Sequence, residues 1–312
     1  MSVILLFPTT AVMLLLLCSC ATHGTFHQNL PAEASFNVGA GRGDFIFVKV
    51  RLKSGPERLF GVDTGMPRTV LDKSLEPELG KCLGTNEGGF VWYGKSGVDF
   101  FKSPRLYLGN TPLLTGDCIE TLDITNVFYT VNWAPEDAGR RIFGILGMDC
   151  LHHYCIQLDF AADKMRFLDS HNLNTKDLGE AFPLSGLPWR MFVDGTLAGT
   201  TNANSWIDIG DPNDGALVPS LFDQVLKSQK GIVTKNFTFR TGEPGVAARL
   251  PIGIFGGQTY TNLEVLESPD GTDGNIIGLR FLARHLVTCD FPKHTLYLKR
   301  ENIGPLTNER LD

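Results

Sequence analysis

Two aspartates in this chain are placed to act as an acid-base pair. Asp63 ends the apolar run 59–62 and is followed by Thr64 and Gly65; Asp208 follows Trp206 and Ile207 and is followed by Ile209 and Gly210. Carboxylates held about 3 Å apart cannot both ionise cheaply, so they share a proton. One then acts as base toward a water and the other as acid toward a carbonyl, and the two titrate as a unit. Such chemistry uses no metal and no covalent intermediate. It does require two loops, each carrying an aspartate, delivered to one place.

The elements that would deliver them occur twice. In FVKVRL, 47–52, Val48, Val50 and Leu52 alternate with Lys49 and Arg51, the period of a half-buried strand. A polar turn and the apolar run into Asp63 follow. In the second half MFVDGTL, 191–197, precedes a polar turn and the run SWIDIG, 205–210. Val48 lies fifteen residues before Asp63 and Val193 fifteen before Asp208, so the aspartates occupy matching places. Each half closes on a second shared block, 144–168 and 275–298. Gly147 aligns with Gly278, Leu151 with Leu282, Asp159 with Asp290 and Phe160 with Phe291 at one constant offset. Each block reads as an apolar-Gly turn, a short helix, a strand ending in Asp-Phe, a turn and a last strand. The chain is a duplicated domain, with a period far longer than that of a solenoid.

Composition agrees with strands. The 34 glycines and 17 prolines are spread along the 312 residues, which implies many tight turns and few long helices. With 43% hydrophobic residues the chain can fill two cores, each belonging to a domain of about 100 to 150 residues. A net charge of -6 without a basic cluster excludes the electrostatic footprint of a nucleic-acid binder. No Gly-x-Ser-x-Gly elbow is present, which argues against a serine hydrolase. Cys82, Cys118, Cys150, Cys155 and Cys289 are too irregularly spaced to name a disulfide, and the run 150–155 (CLHHYC) is read as helix and strand rather than as a metal site.

Val62-Asp63-Thr64-Gly65, the later Ile145-Leu146-Gly147 and the strand end Leu158-Asp159-Phe160 resemble the retropepsin-like and pepsin-like aspartic peptidases. The resemblance spans about residues 44 to 298. It implies an all-β fold of two related pepsin/retropepsin-like β-barrel lobes with short helices and a cleft between them, Asp63 and Asp208 as the catalytic pair, and an endopeptidase acting on peptides or unfolded protein without a cofactor or metal. Thr64 is implied to set its hydroxyl against the opposite loop, and the strand of Leu146 and Gly147 to pass beside the Asp63 loop. Gly65 and Gly210 are expected to let the backbone turn sharply behind each aspartate, where a side chain would clash. In the segment 88–97 (GGFVWYGKSG), Tyr93 and Gly94 resemble a pepsin flap and are candidates for substrate contact.

The second half departs from the pattern. Ile209 replaces the expected Thr or Ser, so half of the grip between loops is missing. Asp211, where the first half has Met66, would add a third negative charge near Asp208 and push a pKa upward. Two rival readings follow: a catalytically impaired pseudopeptidase that still takes an extended peptide by strand addition, and an enzyme that pairs Asp63 with Asp63 of a second molecule.

The organisation read from these features is a signal peptide at 1–19, a tether at 20–40, an N-terminal lobe at 41–170, a linker at 171–187, a C-terminal lobe at 188–300 and a polar tail at 301–312. The apolar stretch before residue 20 is short for a bilayer span and suits a signal peptide. Leu17-Cys18-Ser19-Cys20 resembles a bacterial lipobox, which implies lipidation at Cys20 and a monomer exported to the cell envelope, touching membrane only through that anchor.

Overall fold

The computed structural model describes residues 30–86, 97–124, 141–238, 244–268, 274–304 and 306. The fold is mostly β, in two sheets of thirteen and nine strands. Among the described residues neither sheet closes on itself, which corrects the expectation of barrels. The nine-stranded sheet runs from an edge at Cys82–Asn86 to the opposite edge at Thr111–Pro112, and the larger one from Ala34–Ser35 to Val233–Thr238. The longest described helix is Pro219–Ser228, begun by a proline whose missing N–H costs nothing in a first turn.

The duplication is visible in the strand pairing. In the first half Phe47–Leu52 and Glu57–Val62 form a hairpin. Ile142–Leu146 lies parallel to Glu57–Val62 and antiparallel to Val70–Asp72, which pairs in parallel with Cys118–Leu122. In the second half Arg190–Asp194 and Asn204–Asp208 form the hairpin. Asn275–Gly278 lies parallel to Asn204–Asp208 and antiparallel to Gly215–Leu217, which pairs in parallel with Gln258–Glu267. Order and polarity are the same throughout. The alternation in Phe47–Leu52 emerges as expected, with Val48, Val50 and Leu52 buried and Lys49 exposed; each such aliphatic side chain contributes about 1.5–3 kcal/mol on burial.

The halves are joined by Cys155–Asp159 and His285–Asp290, paired antiparallel. Gln157 stands opposite Thr288, its own counterpart in the repeat, and its Nε2 donates to the Thr288 hydroxyl at 3.1 Å. A register that pairs counterparts with each other is that of a local two-fold axis. Lys164–Leu168 and Thr295–Arg300 flank this pair symmetrically.

Two segments read as connectors extend the same sheet. Within the expected tether, Ala34–Ser35 pairs with Met165 and Lys164. Within the expected linker, Glu180–Leu187 pairs first with Thr295–Arg300 and then with Arg190–Asp194. Most residues of Glu180–Leu187 are exposed, so no alternation of apolar and polar residues marks it as a strand. The tail is pinned at its start, where the Ile303 carbonyl accepts from Thr261 N–H at 2.9 Å and from Arg284 Nη1 at 3.1 Å. All five cysteines among the described residues are free thiols. No described helix is long and apolar enough to cross a membrane. Arg105–Asn110 and Arg249–Gly257 fall in strands and turns.

Candidate active site

Asp63 directly follows the strand Glu57–Val62, and its N–H donates to the Leu146 carbonyl at 3.0 Å. The parallel neighbour Ile142–Leu146 therefore holds the Asp63 loop from the side. Asp208 ends Asn204–Asp208 and pairs with Gly278 of the corresponding neighbour. Behind each loop the Leu146-Gly147 or Ile277-Gly278 turn passes so close that a side chain on the glycine would overlap backbone of Arg68 or Asn213. Met148 N–H donates to the Met66 carbonyl and Leu279 N–H to the Asp211 carbonyl, both at 2.7 Å, so the two loops are braced alike.

The loops bring the two carboxyl groups into a mutual hydrogen bond. Asp63 Oδ1 accepts from Gly65 N–H at 2.6 Å, and Asp208 Oδ1 from Gly210 N–H at 2.8 Å. Each carboxylate also lies over the other loop's glycine. A Cβ on Gly65 would stand 2.5 Å from Asp208 Oδ1, and one on Gly210 would overlap the Asp63 carboxyl group. Neither glycine has a positive φ, so the backbone conformation alone does not demand glycine; a side chain would clash there, and the group it would meet is the opposing carboxylate.

Thr64 is buried, and its hydroxyl donates to the Ile207 carbonyl at 2.7 Å while accepting from Ile209 N–H at 2.9 Å. One hydroxyl thus satisfies a buried donor and a buried acceptor of the opposite loop. Ile209 returns no such contact, and its side chain joins the apolar core instead.

Burial from water pushes both aspartates above their ordinary values. Asp63 is raised by desolvation, against hydrogen bonds from Gly65 and Asp208, to about 6. Asp208 is raised further, by desolvation first, then by the negative charge of Asp63 and then by that of Asp211. Part of each residue still faces solvent. Two desolvated carboxyl groups in contact share one proton more readily than they both ionise, which is the condition for general acid and general base catalysis by one pair.

No family model matches this chain, and no curated protein matches it. The site therefore stands on its own geometry.

Of the residues read from the sequence, Asp63, Thr64, Gly65, Asp208 and Gly210 converge within hydrogen-bonding or contact distance. Tyr93, Gly94 and Cys20 lie outside the described residues. Among the described residues no cluster of His, Cys, Asp and Glu is arranged to hold a metal ion.

Sequence reasoning missed the supports behind the loops. Asp149 Oδ1 accepts from Thr69 N–H at 2.7 Å and from its hydroxyl at 2.6 Å, fastening the first loop to the helix Met148–Leu151. The second loop is fastened by charge: Asp214 and Arg284, both fully buried, pair at 2.7 Å, and Asp214 Oδ2 accepts from Glu264 N–H at 2.7 Å. The two charged residues lie 70 positions apart, and no local pattern marks them as partners.

Proposed function

We propose that the protein is an aspartic endopeptidase built from two pepsin/retropepsin-like lobes, with Asp63 and Asp208 activating water between them. The observation that carries this reading is the hydrogen-bonded carboxyl pair, each member seated over the other loop's glycine. The local two-fold of the central sheet supports the same reading, because it presents two similar aspartate loops to one cleft.

In this mechanism a water bound to the pair gives a proton to the ionised carboxylate and attacks the peptide carbonyl carbon. The protonated partner gives its proton to the carbonyl oxygen. Collapse of the resulting gem-diol returns that proton to the pair, the other proton goes to the departing amine, and the C–N bond breaks. The site regenerates with one proton. Asp63 finds its partner within the same chain, so a second molecule is not needed to complete the pair. The substrate class is an extended peptide or an unfolded protein. We also read residues 1–19 as an export signal and Cys20 as a lipid-bearing residue, which radiolabelled palmitate incorporation lost in Cys20→Ala would support.

The pseudopeptidase reading rests on Ile209. One observation speaks for it, the absence of a returning hydroxyl from Ile209, whose side chain is buried in the core. The test is incubation of the purified protein with an unfolded protein substrate and with a peptide library between pH 4 and 8. Cleavage that disappears in Asp63→Asn and in Asp208→Asn supports the enzyme; tight binding of a statine-type peptide without any turnover supports the binder.

A further inference from the structure

The fold gathers on one corner of the first half three cations that the sequence keeps apart. Arg51 ends the outward-facing row of Phe47–Leu52, Lys53 opens the turn after it, and Arg105 stands just before Leu106–Leu108, the strand paired with Phe47–Leu52. With Ser103 and Tyr107 they line a hollow of about 560 Å³ that no described acidic residue lines. We propose that this hollow binds a phosphate group, and that the phosphate is that of an anionic lipid headgroup.

The cations are held in place by neutral groups, so their charge is not cancelled. The Arg51 guanidinium donates to the carbonyls of Lys53 and Gly109, the latter at 3.2 Å, and lies 4.6 Å from the centre of the Tyr107 ring. Lys53 donates through its N–H to the Arg105 carbonyl at 2.9 Å and through Nζ to the Glu78 carbonyl at 2.8 Å. The Glu78 carboxylate itself is taken by Arg58 at 2.6 Å. Glu57, opposite Arg51 in the hairpin, sets one negative charge against three positive ones. The Ser103 hydroxyl is shielded from solvent and has no hydrogen-bond partner among the described residues. A phosphate oxygen entering the hollow is the partner it lacks, and a guanidinium fork with an ammonium group beside it suits the remaining oxygens. The repeat shows that this charge is no requirement of the fold. At the constant offset that relates Asp63 to Asp208, Thr196 and Ala198 stand where the first half has Arg51 and Lys53.

The position of the corner points to a lipid as the source. Lys49, two residues before Arg51 on the same strand face, lines a neighbouring hollow of about 530 Å³ together with Gly109 and residues 32–37, near the start of the described chain. The chain therefore enters the fold beside the basic corner. Leu30 follows Cys20 by ten residues, a stretch that spans at most about 35 Å when fully extended. With Cys20 read as the lipid-bearing residue, the tether keeps this corner within reach of headgroups, and the choice of a lipid rests on that reading. A single acyl chain anchors a protein only marginally, and basic residues close to an anionic surface supply a second hold.

The test is co-sedimentation of the full chain carrying Cys20→Ala, which removes the acyl anchor, with vesicles of phosphatidylcholine alone or mixed with phosphatidylglycerol. Binding is expected to favour the phosphatidylglycerol vesicles and to weaken as salt is added. It is expected to fall by at least about twentyfold in Lys53→Glu with Arg105→Glu, since each cation near an anionic surface contributes about fivefold. Lys230→Glu with Lys235→Glu, an equal change of net charge at exposed positions of the second half, is expected to bind like its parent. Equal binding to both kinds of vesicle, or an equal loss in the two double variants, overturns the proposal. Lys53 and Arg105 are exposed, and matching thermal melts show that the fold is kept; the milder Lys53→Gln with Arg105→Gln serves if they do not match. Inorganic phosphate is titrated in parallel. Its binding, lost in Lys53→Glu with Arg105→Glu but without any preference for anionic vesicles, would assign the hollow to a soluble phosphate and overturn the lipid source. Palmitate labelling judges Cys20 separately, so failure of the anchor reading is distinguishable from failure of the headgroup site.

Discussion

The two aspartate loops share a backbone and differ in almost every side chain that supports it. Gly65 and Gly210, Gly147 and Gly278, and the paired bonds from Met148 and Leu279 N–H are common to both. The first loop is fastened by hydroxyl to carboxylate, Thr69 to Asp149, and reaches across the cleft floor through the Thr64 hydroxyl. The second is fastened by a buried ion pair, Asp214 to Arg284, and sends Ile209 into the core instead of across. What the halves conserve between themselves is the space each carboxylate needs, and what they vary is how that space is kept rigid. The single hydroxyl of Thr64 suffices because it both donates and accepts, while the ion pair behind Asp208 replaces rigidity that a second hydroxyl would have supplied.

The harshest way to break this comparison is to fill the shared space. Gly65→Ala and Gly210→Ala are expected to abolish cleavage as completely as Asp63→Asn, by at least about a thousandfold in kcat/KM, because a methyl group displaces the opposing carboxylate. Near-wild-type rates in either alanine variant would mean that the carboxyl groups need not touch. Next in size is Arg284→Met, which leaves Asp214 buried and unpaired and is expected to cost about 3–5 kcal/mol in urea denaturation. The double variant Arg284→Met with Asp214→Leu should recover most of that loss. By contrast, Asp149→Asn in the first loop is expected to cost only about 1 kcal/mol, since the amide oxygen still accepts from Thr69. Equal losses at the two positions would erase the distinction between the loops.

Thr64→Val strips a partner from the Ile207 carbonyl and from Ile209 N–H, and is expected to cost about 2–3 kcal/mol together with a fall in kcat. Ile209→Thr is the sharpening counterpart, with an effect on stability within about 1 kcal/mol because a gained hydrogen bond is offset by lost apolar burial. A smaller effect follows from pH. Asp63 holds its proton more tightly in the folded protein than at the ordinary value of 3.8, so its contribution to stability is full below about pH 4 and is lost as pH rises through about 6. Asp63→Asn is therefore expected to gain stability over the wild type as pH goes from 5 to 8, by about 1–2 kcal/mol given that the cleft face is open to solvent. Thermal melts across that range provide the measurement, and a difference that shrinks toward pH 8 would contradict the assignment.

How much of this was readable in the chain itself depended on locality. The strand Phe47–Leu52, the runs into Asp63 and Asp208 and the paired glycines announce themselves within a few residues, by alternation or by repetition. Glu180–Leu187 does not, because an exposed strand has no apolar face to alternate, and its partner Thr295–Arg300 lies over a hundred positions away. Ala34–Ser35 is too short to carry a pattern and becomes a strand only through its partner Met165. What the loop glycines make room for was not legible, for a related reason. Backbone freedom is a property of one residue, whereas the space above Gly65 is set by Asp208 on the other half.

The central pairing of Cys155–Asp159 with His285–Asp290 also sets an order in time. Asp208 gains its parallel neighbour only when Asn275–Gly278 has been synthesised, and the halves are joined only when the strand ending at Asp290 has followed. Contacts of such long range form late. During synthesis, then, the first half can fold around a solitary Asp63 while the second half is still emerging. The carboxyl pair comes into being among the last events, so the group on which the proposed activity depends is absent until the chain is nearly complete.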